Sequence, residues 1–169
     1  MIRAGMIAAA LLAAAPARAQ DPVDGNCATT QGPQVRVAVV GLKDRLGRMK
    51  LELYPANETD FLRDDRELKR EGRAFRRVWS ATPQAGAVVL CIRAPGPGRW
   101  ALLFTHDRDG KNKFNFWRDG AGFVSADKLG RSRPKLNQAL ISVPAGGTNV
   151  TIRAQYLRGL SGFAPHAGN

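Results

Sequence analysis

The chain has 169 residues, 44% hydrophobic and 24% charged, with 26 Lys+Arg against 14 Asp+Glu and a formal net charge of +12. This length suits one domain that buries roughly two-thirds of its unfolded surface, and no segment approaches the ~18 consecutive apolar residues of a membrane-spanning helix. The basic balance permits attraction to nucleic acid, anionic lipid or acidic polysaccharide; a solvated arginine-rich surface is the plain alternative.

Residues 1–19 read as an export signal: Arg3 gives a positive start, 7–15 are apolar, and Ala17-Arg-Ala19 is a small-residue cleavage site. Cleavage after Ala19 leaves a periplasmic or secreted protein, and the alanine-rich apolar run points to a bacterial periplasm. The expected partner is then an anionic envelope polymer or a protein rather than nucleic acid. Cys27 and Cys91 both lie in the exported part, and an even pair in an oxidising compartment predicts a disulfide. The alternative is two unpaired thiols, with Cys91 as a small buried hydrophobe inside an apolar run.

Residues 20–33 lack periodicity and form a leader, and the domain proper is expected over 34–157. Val35, Val37 and Val39 alternate with Arg36 and Ala38, the pattern of a half-buried strand. A turn over 41–47 leads to Met49, Leu51 and Leu53 alternating with Arg48, Lys50 and Glu52, a second strand with period two. Residues 60–71 change style. Phe61, Leu62 and Leu68 fall at helical spacing and Asp65 precedes Lys69 by four, which predicts one short, solvated helical connection.

Strands are expected to resume at 74–80 and 88–93. After a Pro-Gly turn, Trp100, Leu102 and Phe104 share one face of the next. A short segment at 122–124, a basic loop, and strands at 139–143 and 150–156 follow, the last two joined by a Pro-Gly-Gly hairpin. Residues 158–169 read as a flexible tail. The whole predicts an all-β fold: a seven-stranded antiparallel Greek-key sandwich.

The loop HDRDGKNKFN at 106–115 follows a strand end and collects oxygen donors: Asp107, Asp109, Asn112 and Asn115, with Asp119 beyond. Alternating carboxylates and amides around a glycine suit a hard cation, and Asp107, Asp109 and Asn115 are the candidate calcium ligands. The competing reading is a self-bonded polar turn. Lys111 stands at an alternate position and the loop's bases outnumber its acids, which opposes cation entry. His106, at a strand end beside an aspartate, is expected to be a hydrogen-bonding structural residue rather than a zinc ligand.

No Gly-x-Ser-x-Gly elbow is present, and no pair of carboxylates stands out for glycoside hydrolysis. Lys128, Arg131, Arg133 and Lys135 form a basic loop downstream of Phe116, Trp117 and Phe123. They are the candidate anion patch, since cations beside aromatics grip anionic glycans; the alternative turns the aromatics into the core.

The order of motifs resembles one bacterial exported family. It comprises GRMKLELY at 47–54, GRWA at 98–101, HDRDGKNKFN at 106–115, GFVS at 122–125 and Arg133-Pro134. The family is the one catalogued as domain of unknown function 2141, and the likeness runs from about Val35 to Tyr156. It implies a single β-sandwich of prealbumin or immunoglobulin type, exported, with no established activity. Relative to the family's usual loop, Asp109 and Lys111 stand where Asn is usual and Asn115 stands in place of a late Asp. The expected protein is a non-catalytic module without a cofactor that binds an anionic envelope component. The two alternatives are a calcium-stabilised structural module and a small envelope hydrolase.

Overall fold

The computed structural model describes Gly25, Cys27 and residues 32–125 and 127–166. The expected export signal over 1–19 and most of the expected leader over 20–33 lie outside the described residues. The strands are β1 (Gln34–Val40), β2 (Arg48–Pro55), β3 (Arg76–Ala81), β4 (Val88–Arg93) and β5 (Gly98–Asp107). They continue as β6 (Gly120–Gly122), β7 (Leu140–Val143), β8 (Thr148–Arg153), β9 (Gln155–Leu157) and β10 (Phe163–Pro165). Two short helices, α1 (Asp65–Arg70) and α2 (Leu136–Ala139), complete the elements.

The expected all-β sandwich is present as two unequal sheets. The smaller has the order β4-β1-β8; the larger runs β10-β9-β6-β5-β2-β3, with β7 sharing β6's edge of β5. Among the described residues the strands number ten rather than the expected seven. β1 also pairs parallel with β8, Val37 opposite Val150, so the smaller sheet is mixed rather than wholly antiparallel. Alternation along a strand sets its buried face but not its partner or direction.

The interior follows the period-two pattern. Val35, Val37, Leu90 and Ile152 of the smaller sheet meet Met49, Leu51, Leu53, Leu102 and Phe104 of the larger in one apolar cluster. Burial of each such side chain contributes roughly 1.5–3 kcal/mol. The run 148–157 changes sheets at Ala154, whose N–H donates to Val40 O at 2.9 Å. Val150, Ile152, Ala154 and Tyr156 keep one alternation across that switch because both sheets border the same interior.

One edge of the sandwich is tied. Gly25 N–H donates to Trp79 O (2.8 Å) in β3, and Cys91 N–H in β4 donates to Gly25 O (2.7 Å), so the leader joins both sheets. Beside it Cys27 and Cys91 form the expected disulfide across 64 residues of chain. In the chain-entropy account, closing such a loop stabilises by roughly 4 kcal/mol.

The outer face of the larger sheet is not left to solvent. The connection before β3 lies across it, and Phe61, Leu68 and Phe75 pack with Tyr54, Ala101, Phe123 and Ala139 in a second apolar cluster. α1 begins where Asp64 Oδ1 accepts the N–H groups of Arg66 (2.9 Å) and Glu67 (3.4 Å). It stops at Gly72 (φ 68), where Arg73 N–H reaches Leu68 O and Gly72 N–H reaches Lys69 O. The helix falls where the spacing places it. The connection is a cover rather than a solvated link, because Phe61 and Leu68 are buried.

Two further expectations are corrected. The expected tail holds a tight turn at Gly159–Ser161 and then β10, which pairs with β9 and buries Phe163; 167–169 lie outside the described residues. The short segment expected at 122–124 is instead β6 at Gly120–Gly122, which carries no strand signal because glycine there is dictated by contact. A Cβ at Gly120 would stand 2.5 Å from the Tyr156 ring.

Candidate functional site

β5 ends in His106 and Asp107, and the loop after it returns at Asp119 to start β6. His106 is fully buried. Its Nε2 lies 2.8 Å from Leu46 O, a pure acceptor, so Nε2 carries the proton. Nδ1 then accepts from the Tyr156 hydroxyl at 2.7 Å, and that oxygen accepts Lys43 N–H at 3.1 Å. Burial holds the His106 pKa below the ordinary 6.5 and pushes the Tyr156 phenol up to about 12. The neutral imidazole therefore pins the β1–β2 turn to the end of β5, the structural role expected. Gly47 completes this junction: at φ 65 it leaves no space for a Cβ, which would sit 2.2 Å from Asp107 O.

Beyond His106 the carboxylates converge. Asp107, Asp109 and Asp119 each offer an oxygen within 4.8 Å of the others. Asp107 Oδ2 accepts from Arg48 Nε (3.0 Å) and Asn112 N–H (3.1 Å). Asp109 accepts Lys111 N–H (3.2 Å) and Asn115 Nδ2 (3.2 Å), and the Asn115 bond comes first in holding its pKa below the usual carboxylate value. Asp119 accepts Arg108 N–H (2.9 Å) on one oxygen and Asn115 N–H (2.7 Å) on the other.

The structure thus brings two of the sequence's candidate ligands together, Asp107 and Asp109, and joins Asp119 to them. Asn115 has another task. Its Nδ2 serves Asp109 and its Oδ1 accepts Trp117 N–H at 3.1 Å, so it ties the loop together. Asp119 is visible as a donor in the sequence, but nine residues of chain lie between it and Asp109. Only the closure of the loop makes them neighbours.

Below this knot, on the outer face of the larger sheet, lies an open cleft of about 460 Å³. Its floor is Lys50, Glu52 and Tyr54 of β2, Arg77 of β3, and Leu103 and Thr105 of β5. Phe114, Phe116 and Phe163 wall one side, with ring centroids 5.8 Å (Phe114–Phe163) and 5.0 Å (Phe116–Phe163) apart. Residues 129–134 and 62–65 also line it.

The floor's charges are largely matched. Glu52, 2% exposed, accepts from Arg77 Nε (2.8 Å) and Nη2 (2.5 Å) and pairs with Lys50 Nζ (3.1 Å). Arg77 also reaches Asp65 at 3.1 Å. Burial, then the Glu52 charge, raises the Tyr54 pKa far above the ordinary phenol.

The basic loop divides. Arg131 and Arg133 line the cleft; Arg131 is exposed, while Arg133 Nη2 donates to Phe61 O at 3.1 Å. Lys135 borders a neighbouring hollow with Glu58, Phe61 and Asn137, and Lys128 is exposed outside both. The aromatics divide too. Phe123 is buried, whereas Trp117 is 81% exposed. The sequence placed aromatics beside the basic loop but had no signal for β2's outer face as their floor, since that cleft is assembled from distant segments.

Among the described residues no helix is long and apolar enough to cross a membrane. No curated protein and no solved structure matches the chain. The family described as "Uncharacterized protein conserved in bacteria (DUF2141)" matches residues 37–152, from within β1 to within β8. That stretch holds the 106–119 loop and most of the cleft's lining, and it agrees with the likeness read from the motifs. The chain therefore belongs to this bacterial DUF2141 family.

Proposed function

We propose that the protein is an exported, non-catalytic binding module whose cleft on the outer face of the larger sheet takes a segment of an acidic envelope glycan. The observation that carries this reading is the pairing of aromatic walls, Phe114, Phe116 and Phe163, with Arg131 and Arg133 around one open cavity. Flat apolar walls suit sugar-ring faces, and a few placed polar groups fix orientation. Guanidinium groups suit carboxylates or sulfates, which they bond in a planar, bidentate way. Because Glu52 of the floor and Asp65 of α1 are already paired with Arg77, the rim arginines set the sign of the ligand.

Export is supported by the 1–19 signal and by a disulfide of the kind that persists in oxidising compartments. Glu52, the carboxylate buried in the floor, is held by two cations, which favours a structural over a proton-transferring role.

The test is calorimetric titration of the exported chain with oligogalacturonate, a sulfated heparin oligosaccharide, and a neutral oligosaccharide of equal length. Acidic ligands should bind and the neutral one should not, and affinity should fall with added salt. Replacing Arg131 and Arg133 by Ala should weaken binding about tenfold or more. Equal affinity for the neutral ligand, or no loss in the double variant, contradicts the reading; cleavage of any glycan would make it a hydrolase.

A further inference from the structure

We propose that Asp107, Asp109 and Asp119 form a calcium site that fixes the loop carrying Phe114 and Phe116. The inference stands apart from the glycan reading, since it concerns the knot above the cleft and not the ligand within it. The three carboxylates lie close enough to share one ion. Their hydrogen bonds leave one oxygen over: among the described residues Asp107 Oδ1 is buried without a partner, in a residue only 3% exposed. A buried carboxylate oxygen without a donor is costly, and a cation supplies what the loop's N–H groups do not. The bonded oxygens keep further lone pairs, so one donated N–H does not bar ligation.

The chemistry of the donor set selects the ion. All three side chains offer hard oxygen, and His106 beside them has both ring nitrogens engaged in the core. Calcium takes six to eight oxygens in irregular geometry, the remainder from water or carbonyls, whereas magnesium demands a near-octahedral cage. Arg48 on Asp107 and the exposed Lys111 lower the pull on a dication. The affinity is therefore expected in the weak class of extracellular modules, a Kd of roughly 10⁻⁴–10⁻³ M.

Asn115 lies between Phe114 and Phe116 and is bonded to both Asp109 and Asp119. Binding at the knot consequently stiffens one wall of the cleft.

The test titrates calcium chloride into the chelator-treated exported chain and follows the melting temperature, with magnesium chloride and ionic-strength-matched potassium chloride as controls. Calcium at about 10 mM should raise the melting temperature by several degrees, and magnesium by much less. Asp119→Asn risks misfolding because both of its oxygens accept backbone N–H groups. Asp109→Asn is the gentler variant, since it keeps an oxygen for Lys111 N–H and gives up only the side-chain bond from Asn115 Nδ2 while removing a charge, and it should need about tenfold more calcium for the same rise. No rise in the folded wild type, an equal rise with potassium chloride, or an unshifted titration in Asp109→Asn overturns the site.

Discussion

Strand β2 has two buried faces built on opposite principles. Toward the smaller sheet it presents Met49, Leu51 and Leu53, which enter a continuous apolar interior. On its other face stand Lys50, Glu52 and Tyr54, buried or half-buried beneath loops, with charge matched to charge beside an open cleft. The first face needs only shape and apolarity, and its stability comes from area removed from water. The second costs desolvation that ion pairs only offset, and it keeps unfilled space. A fold that tolerates this arrangement next to aromatic walls and the arginines of the cleft's rim leaves open space there.

The largest expected effect tests the inner face. Leu51 is fully buried, and Leu51→Ala should cost about 2–5 kcal/mol in urea unfolding through lost burial and a cavity. Glycan affinity of the remaining folded protein should stay unchanged. If the two faces were one continuous structure energetically, affinity would fall with stability.

A smaller effect separates burial by area from burial by pairing. Glu52→Ala leaves Arg77 facing the cleft without its main partner and should cost roughly 1–3 kcal/mol. Replacing Glu52 and Arg77 together by leucine and methionine should recover most of that loss, because apolar pairs of similar volume often match buried ion pairs. A loss equal to the sum of the single substitutions would show that each side chain acts alone. No such recovery is expected for pairs of truncations within the interior.

The smallest effect lies at the junction of the two regions. His106 is held neutral by burial with its pKa below 6.5, so on acidification the unfolded chain takes up the proton first. Its contribution is full above about pH 6.5 and declines as pH falls toward the folded pKa, by at most about 1.4 kcal/mol per pH unit for one proton. Melting curves from pH 8 to 5.5 should show this decline, and His106→Asn should flatten it. A profile unchanged by the substitution would assign the slope elsewhere.

The inner face was legible in the sequence because period two reports which side of a strand is apolar, and Val35, Leu51 and Phe104 sit where that pattern puts them. The strand partners were not, and the parallel β1–β8 pair and the switch at Ala154 leave no mark on an alternation that both sheets share. α1 was legible from its spacing and its Asp65–Lys69 pair, which lies at 3.2 Å; that its apolar side would roof the outer face was not. At the knot, residue types were readable and geometry was not: Lys111 contributes a backbone N–H to Asp109, while Asn115 and Asp119 exchange the roles that linear spacing suggests. The cleft itself brings Tyr54, Arg77, Phe116, Arg131 and Phe163 from across the chain, and no local pattern encodes that meeting.

Amide and side-chain chemical-shift mapping locates the proposed ligand on or off the outer face of the larger sheet. On titration with an acidic oligosaccharide, saturable shifts are expected at Thr105, Phe114, Phe116, Arg131 and Arg133, with Val35, Val37 and Val39 unmoved. Saturable shifts confined to other surfaces, or none at millimolar ligand, would contradict the proposed placement.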